Sequence, residues 1–373
     1  MVDSRGQCGL TVVAVVMVTA VMVMMAGVAD AVSDDIPDPC QNISSLPARK
    51  RNICNGNWLL YAAEAGHLHR VHTLLHLPER SYLMAYTDSQ GLRKGFTAMM
   101  LAAEKNHTEV VEVLVNAGSD VNHTSRAMYT VVYLLAEKGA LKTLKHVLDL
   151  GAAPDVMTTT GMTPLLIGTW NGYPDVVKML LEKGANPNVA MPDTLYSPLY
   201  MSSKAGDVDM VRALLVAKAD VDFQTSWGVT ALIVATVWGR VRVVPILLQA
   251  LANPNIVEKD GFTALHKAVY YRHAEIVKAL LNHRALVNVQ DSFGRTPLHY
   301  CVVRRKGEWK TGSPRASSKT TATKVTMMME LLTSCPDVTI TDNSGKTVLD
   351  LAEEFQAIEL QDVLKGYDKS RCG

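Results

Sequence analysis

Residues 296–299 read Thr-Pro-Leu-His, and close copies of this tetrapeptide start at Thr163 (Thr-Pro-Leu-Leu) and at Thr263 (Thr-Ala-Leu-His). Up to residue 296 the successive starts lie 33 or 34 residues apart, and the last start follows after 51. Recurrence in step at this period makes coincidence negligible and predicts a stacked array of one small structural unit. The weaker starts are Thr97, Thr130, Ser197, Thr230 and Thr347.

Each part of the repeat has a physical reason. The hydroxyl of Thr163 can cap a helix, and Pro164 suits the first helical position, where a missing N–H costs nothing. Val177 and Leu180 belong to a second run with apolar residues at helical spacing, and Gly184 fits a left-handed residue just past that helix. One such unit cannot bury its own apolar face. The sequence therefore predicts an all-α stack that folds through contacts between neighbouring units.

The Thr-Pro-Leu-His motif at this period resembles the ankyrin repeat, and the resemblance covers residues 57–366. It implies a solenoid of paired antiparallel helices with β-hairpin fingers, and nine repeats of which the first and last serve as caps. It also implies a non-catalytic scaffold or adaptor that binds one or more partner proteins through its concave face. Two alternatives stay open, which are a membrane-anchored adaptor and a regulatory subunit of a separate enzyme.

Two insertions interrupt the period, one near 82–94 in the finger after the first repeat and one at 305–324 in the eighth. The second insertion is basic and rich in Ser and Thr, a composition that cannot form a core, so we predict a loop there. It is either a solvated loop without function or a basic docking or phosphorylatable segment. Residues 367–373 form a short tail.

The resemblance also implies contact positions, namely finger residues just before the Thr and the two residues after the small pair of the first helix. Aromatic residues occupy these positions only from the fourth repeat onward, and such residues dominate interface hot spots. The alternative is that the rings pack between adjacent repeats, which we favour for Phe262 and Phe293. The predicted partner-binding residues are Trp170, Asn171, Tyr196, Trp227, Trp238, Tyr270, Tyr271 and Arg304.

Residues 1–31 differ from the rest of the chain. Arg5 precedes an apolar run over 10–28, and Ala29-Asp30-Ala31 is typical of a signal-peptidase site. We therefore predict a signal peptide, a flank or linker over 32–56, and a protein that is secreted or lies in the lumen of the secretory pathway. An uncleaved leader would instead make a single-pass type II membrane protein, the one case in which we expect a membrane contact.

An oxidising location allows disulfides and N-glycans. Cys40 and Cys54 bracket a short polar segment and are predicted to pair, the alternative being two unrelated thiols. The glycosylation sequons start at Asn42, Asn106 and Asn122.

The remaining patterns argue against catalysis, cofactors and nucleic acid. The net charge is +1, with 37 basic and 36 acidic residues, so no global field attracts a polyanion. We find no phosphate-binding glycine loop, nucleophile elbow or zinc-protease motif, and we expect a monomer without a cofactor. His69, His72 and His76 share one helical face and form a weak candidate for a metal site, although solvent-exposed histidines without a ligand explain them better.

Overall fold

A computed structural model gives the fold and describes residues 48–78, 80–87, 93–303 and 318–368. The chain divides into two compact units, Met1–Asn55 and Gly56–Gly373. The predicted leader at 1–31 lies outside the described residues, as does the flank up to residue 47. The described part of the first unit, 48–55, is helical.

The regular structure of the described residues is helical, and the fold class is the predicted all-α solenoid. First helices α4, α6, α8, α10, α12, α14, α16 and α18 contact one another in series, and so do second helices α5, α7, α9, α11, α13, α15, α17 and α19. The bounds are α1 Ala48–Glu64, α2 Leu68–Leu75, α3 Arg80–Ala85, α4 Ala98–Glu104, α5 Thr108–Asn116, α6 Val131–Lys138, α7 Leu141–Asp149, α8 Pro164–Trp170, α9 Pro174–Glu182, α10 Pro198–Ala205, α11 Val208–Val216, α12 Ala231–Val237, α13 Val243–Gln249, α14 Ala264–Tyr271, α15 Ala274–Asn282, α16 His299–Val302, α17 Ser318–Leu332, α18 Val348–Glu354 and α19 Ile358–Lys365.

Seven of the eight first helices from α4 onward begin where the tetrapeptides predict, and the exception is α16, which begins at His299 instead of directly after Thr296 and has no side-chain cap. The Thr163 hydroxyl accepts a hydrogen bond from the Leu166 N–H at 3.2 Å, and Pro164 occupies the first turn, as predicted. Such a cap satisfies one of the backbone donors that a helix start leaves open. The same bond forms at the other first-helix starts Thr97, Thr130, Ser197, Thr230, Thr263 and Thr347.

Small and branched residues fill the space between the helices. Val177 and Leu180 of α9 are fully buried, as is the pair Ala102 and Ala103 at the end of α4. The small pair leaves room for the second helix to approach closely. Gly184 has a φ of 88°, which confirms the left-handed residue expected after α9.

The fingers between helix pairs are tight turns that hold one another. The backbone N–H of Lys259 donates to the carbonyl of Trp227 at 3.0 Å, one repeat earlier. Ser292 donates to the carbonyl of Asp260 in the same way, also at 3.0 Å. These bonds fix each finger relative to the one before it, so that side chains at the fingertips keep a set spacing.

The prediction of a loop over the whole insertion at 305–324 is wrong. Residues 318–324 form the first turns of α17, and 304–317 lie outside the described residues. Met327, Met328 and Leu331 of the same helix are fully buried, so they anchor α17 in the core.

None of the helices in the described ranges is long and apolar enough to cross a membrane.

Candidate partner-binding surface

Three tryptophans of the fourth to sixth repeats stay exposed. Trp170 is the last residue of α8, Trp238 directly follows α12, and Trp227 lies in the finger before α12. Their exposed fractions are 57%, 54% and 62%. Large apolar side chains grouped at the surface mark sites of interaction, because the core does not need them.

Two cations lie beside the Trp238 ring. The Lys204 Nζ is 5.5 Å from the ring centroid, and the Arg240 guanidinium carbon is 6.0 Å from it. The Arg240 Nε also donates to the Lys204 carbonyl at 2.9 Å, which ties the two repeats together. At these distances the ring attracts the cations and holds them in place.

Trp227 has a comparable neighbour. The Lys259 Nζ lies 4.8 Å from its ring centroid. Within the described parts of the chain, Lys204, Arg240 and Lys259 make no ion pair with a carboxylate. We call the three tryptophans and these three cations the tryptophan surface.

The equivalent helix ends of the early repeats have a different chemistry. Arg93 bridges Glu64 at 2.5 Å and Glu104 at 2.9 Å. Lys138 pairs with Glu137 at 3.3 Å. The charges of these repeats therefore neutralise one another, whereas the cations of the tryptophan surface do not.

Two of the predicted contact residues make contacts within the solenoid, Tyr196 in its own repeat and Asn171 with the repeat before it. Tyr196 is half-buried and stacks on Tyr200, with ring centroids 4.4 Å apart. The Asn171 amide donates to the carbonyl of Glu137 at 2.9 Å, across the repeat boundary. Both side chains are therefore already engaged within the solenoid, Asn171 while it stays exposed.

Tyr270 and Tyr271 are half-buried and meet edge to face, with centroids 5.1 Å apart. Tyr270 also contacts Tyr300 of the next repeat at 5.8 Å. They border the tryptophan surface without the exposure of its indoles. Arg304, the last predicted contact residue, lies outside the described residues.

The expectation for Phe262 and Phe293 holds for only one of them. Phe262 is half-buried and contacts Tyr300 of the next repeat, with ring centroids 5.6 Å apart. Phe293 is 54% exposed, so the expectation that it packs between repeats is wrong. Phe262 directly precedes the cap Thr263 and points back to the helices, whereas Phe293 precedes Gly294 at the fingertip.

The predicted glycosylation sites differ in their surroundings. Asn106 is exposed, with a φ of 63°, in the turn before α5. The Asn122 amide is engaged on both sides, because it donates to the Gly151 carbonyl at 3.3 Å and accepts from the Ala153 N–H at 2.8 Å. Asn42 lies outside the described residues.

The cysteines also differ in state. Cys54 is disulfide-bonded, and so is Cys335 near the end of α17. The predicted partner of Cys54, Cys40, lies outside the described residues, so that pairing stays a prediction. Cys301 is a buried free thiol, and burial raises its pKa to about 12.

The histidines of the repeat motif have a structural role. The Thr263 N–H donates to His266 Nδ1 at 3.2 Å, and His266 Nε2 faces the Arg295 carbonyl at 3.0 Å. Because Nδ1 accepts, Nε2 carries the proton and donates. Burial lowers the pKa of His266 to about 4, so it is neutral near pH 7.

The candidate metal site in the first repeat gains no support. His69, His72 and His76 are exposed, and His76 lies just past the end of α2. No group of three or more His, Cys, Asp or Glu in the described ranges is arranged to hold a metal ion.

Comparisons with known proteins agree with the helix pairs. Family models described as ankyrin repeats match residues 31–125, 123–191 and 192–258 (three copies) and residues 247–301 (many copies). Cyclin-dependent kinase 4 inhibitor B of Rattus norvegicus is 32% identical over 93 residues, which are 25% of this chain and 71% of that protein.

Ankyrin repeat and KH domain-containing protein mask-1 of Caenorhabditis elegans is 30% identical over 125 residues, 33% of this chain. The chain spans only 5% of the length of that protein. The crystal structure of the human ASB11 ankyrin repeat domain aligns with a TM-score of 0.49 and 22% identity, over 64% of this chain and 98% of that domain. The family models cover most of the chain, and the protein therefore belongs to the ankyrin-repeat family.

Proposed function

We propose that this chain is a non-catalytic scaffold or adaptor that binds a partner protein through the concave face of its repeats, centred on Trp170, Trp227 and Trp238. The observation that carries the proposal is that these three indoles, spread over the fourth to sixth repeats, are more than half exposed. Tryptophan is among the residues most enriched at interface hot spots. Cross-repeat hydrogen bonds hold the fingers in place, so little conformational entropy remains to be lost on binding.

The similarity to the rat protein supports a protein-binding role. Its name describes an inhibitor of a kinase, which is a protein that acts on another protein. The same surface would serve the alternative of a regulatory subunit, because regulation also begins with binding.

The proposed location is the lumen of the secretory pathway or the outside of the cell. The disulfides on Cys54 and Cys335 support it, because reducing compartments rarely keep structural disulfides. The mass of the mature N-terminus tests whether the leader is removed, and protease protection of membrane vesicles tests the alternative of a type II anchor. A reduced, cytosolic protein with an intact N-terminus would contradict this location.

The binding proposal is tested with a partner isolated on the wild-type chain. Trp170→Ala and Trp238→Ala are each expected to weaken its binding at least tenfold, since a hot-spot residue contributes about 2 kcal/mol or more. Val216→Ala is the matched control, because Val216 is an exposed apolar residue at the end of a second helix, α11. Unchanged affinity of both folded tryptophan variants would refute the role of this surface.

A further inference from the structure

We infer that the segment recognised by the tryptophan surface is an acidic peptide segment of the partner. This inference rests on the proposed function and adds the chemistry of the ligand. Its basis is the combination of three exposed indoles with three cations that lack an acidic partner in the described structure.

The cations are held where a ligand on the indoles would meet them. Lys204 and Arg240 lie 5.5 and 6.0 Å from the Trp238 centroid, and Lys259 lies 4.8 Å from the Trp227 centroid. A peptide whose apolar atoms cover the indoles would place its neighbouring side chains within reach of these groups. Carboxylates there would form charge-assisted hydrogen bonds, which are about twice as strong as neutral ones.

The same arrangement disfavours a basic ligand. A free indole face attracts cations, but Trp238 already has two of the chain's own cations beside its ring, and Trp227 has one. A lysine or arginine of a partner would meet like charge at both rings. Charge complementarity therefore selects against basic segments.

Nearby carboxylates do not fully neutralise the surface. Glu258 is paired with Lys267, and Asp291 accepts hydrogen bonds from the backbone of its own finger and from the Tyr300 hydroxyl. The exposed acids of these fingers are Asp193, Asp220 and Asp260, and none of them forms an ion pair with Lys204, Arg240 or Lys259 in the described residues. The three cations of the tryptophan surface are therefore not neutralised by an ion pair within the described residues.

A single-stranded nucleic acid also offers negative charge and stacking faces. Its affinity, however, depends on many phosphate contacts along a basic groove. This chain has a net charge of +1, and its early repeats neutralise their own cations. These observations favour a short acidic peptide.

The test is a selection from a displayed library of random twelve-residue peptides on the immobilised full chain. The double variant Lys204→Glu/Lys259→Glu reverses the charge of the surface. Lys178→Glu/Lys278→Glu is the matched control, because both lysines are exposed on second helices, α9 and α15. The melting curve of each variant is compared with that of the wild type to confirm folding.

Peptides selected on the wild type are expected to carry at least twice the library's share of Asp and Glu. They should bind the reversed variant at least tenfold more weakly and the control variant unchanged. Peptides that lack this enrichment, or that bind both variants equally, overturn the inference.

Trp238→Ala separates this inference from the proposed function. Peptides that need Trp238 but are not acidic leave the proposed function standing and refute the acidic ligand. Peptides indifferent to both Trp238→Ala and the charge reversal refute both. Fluorescence anisotropy with twenty-nucleotide oligothymidylate and oligouridylate tests single-stranded nucleic acid as the ligand. If either one binds more tightly than the selected peptides and its binding depends on Trp238, the peptide assignment is overturned.

Discussion

Acidification should destabilise the solenoid through His266 before its carboxylates titrate. This imidazole is fully buried, and its pKa in the folded chain is about 4, below its ordinary value of 6.5. Between about pH 6.5 and pH 4 this imidazole is protonated in the unfolded chain but neutral in the folded chain. Stability is therefore complete above about pH 6.5, falls as the pH drops, and levels off below about 4.

The magnitude follows from the two pKa values. At pH 5 the proton favours the unfolded chain by about 2 kcal/mol, and the full effect of the shift is about 3 kcal/mol. That is a large fraction of the roughly 5–15 kcal/mol that stabilises a typical domain. His299, at the same place in the next repeat, adds to the loss, because burial lowers its pKa as well.

The assay is urea denaturation between pH 7.5 and 4.5 for the wild type, His266→Gln and the control His69→Gln, a residue exposed on α2. His266→Gln should be less stable at pH 7.5, because it loses the bonds to Thr263 and Arg295, but should lose about 2 kcal/mol less by pH 5. The control should follow the wild type. An NMR titration in which the imidazole of residue 266 changes near pH 6.5 would refute this reasoning.

Three further outcomes follow from the described contacts. Asn122→Ala should lower the free energy of unfolding by about 1–2 kcal/mol, because both atoms of its amide bond the next repeat; a denaturation midpoint equal to that of the wild type would contradict this. In a secretory host, mass spectrometry should find a glycan on Asn106 and none on Asn122, and the reverse pattern would show that the Asn122 bonds do not protect it. Reductant should lower the stability of the wild type by about 2–4 kcal/mol, since Cys54 and Cys335 are disulfide-bonded, and should not affect Cys54→Ser/Cys335→Ser. Equal losses in both proteins would show that the bonds do not stabilise the fold.

The parts of the fold that depend on neighbouring residues along the chain were predictable from sequence. Thr163 caps a helix whose first turn holds Pro164, and Gly184 ends the second helix in the left-handed region. His266 bonds the backbone of Thr263, only three residues away. Each depends on a few adjacent residues, so a repeating pattern suffices to place them.

The details of the surface depend on contacts between repeats, which a one-repeat pattern does not contain. Tyr196 and Trp227 both stand in fingers, yet Tyr196 packs against a cluster that includes Leu166 and Val234 of the adjoining repeats, while Trp227 stays exposed. Lys204 reaches the ring of Trp238 in the next repeat. The available signal was Lys204, which stands seven residues after its cap Ser197, as Trp170 does after Thr163. The pairing of the cations with particular rings required the fold.

The most direct test of the central claim is site-specific photo-crosslinking in the native cell, with p-benzoylphenylalanine at position 238 or, as control, at Val216, an exposed residue of α11. We predict that position 238 yields a defined adduct with a partner protein, which unlabelled wild type suppresses and the Trp170→Ala/Trp227→Ala variant does not. Position 216 should yield no such adduct. The same adduct from both positions, or one from position 216 alone, would contradict binding through the tryptophan surface.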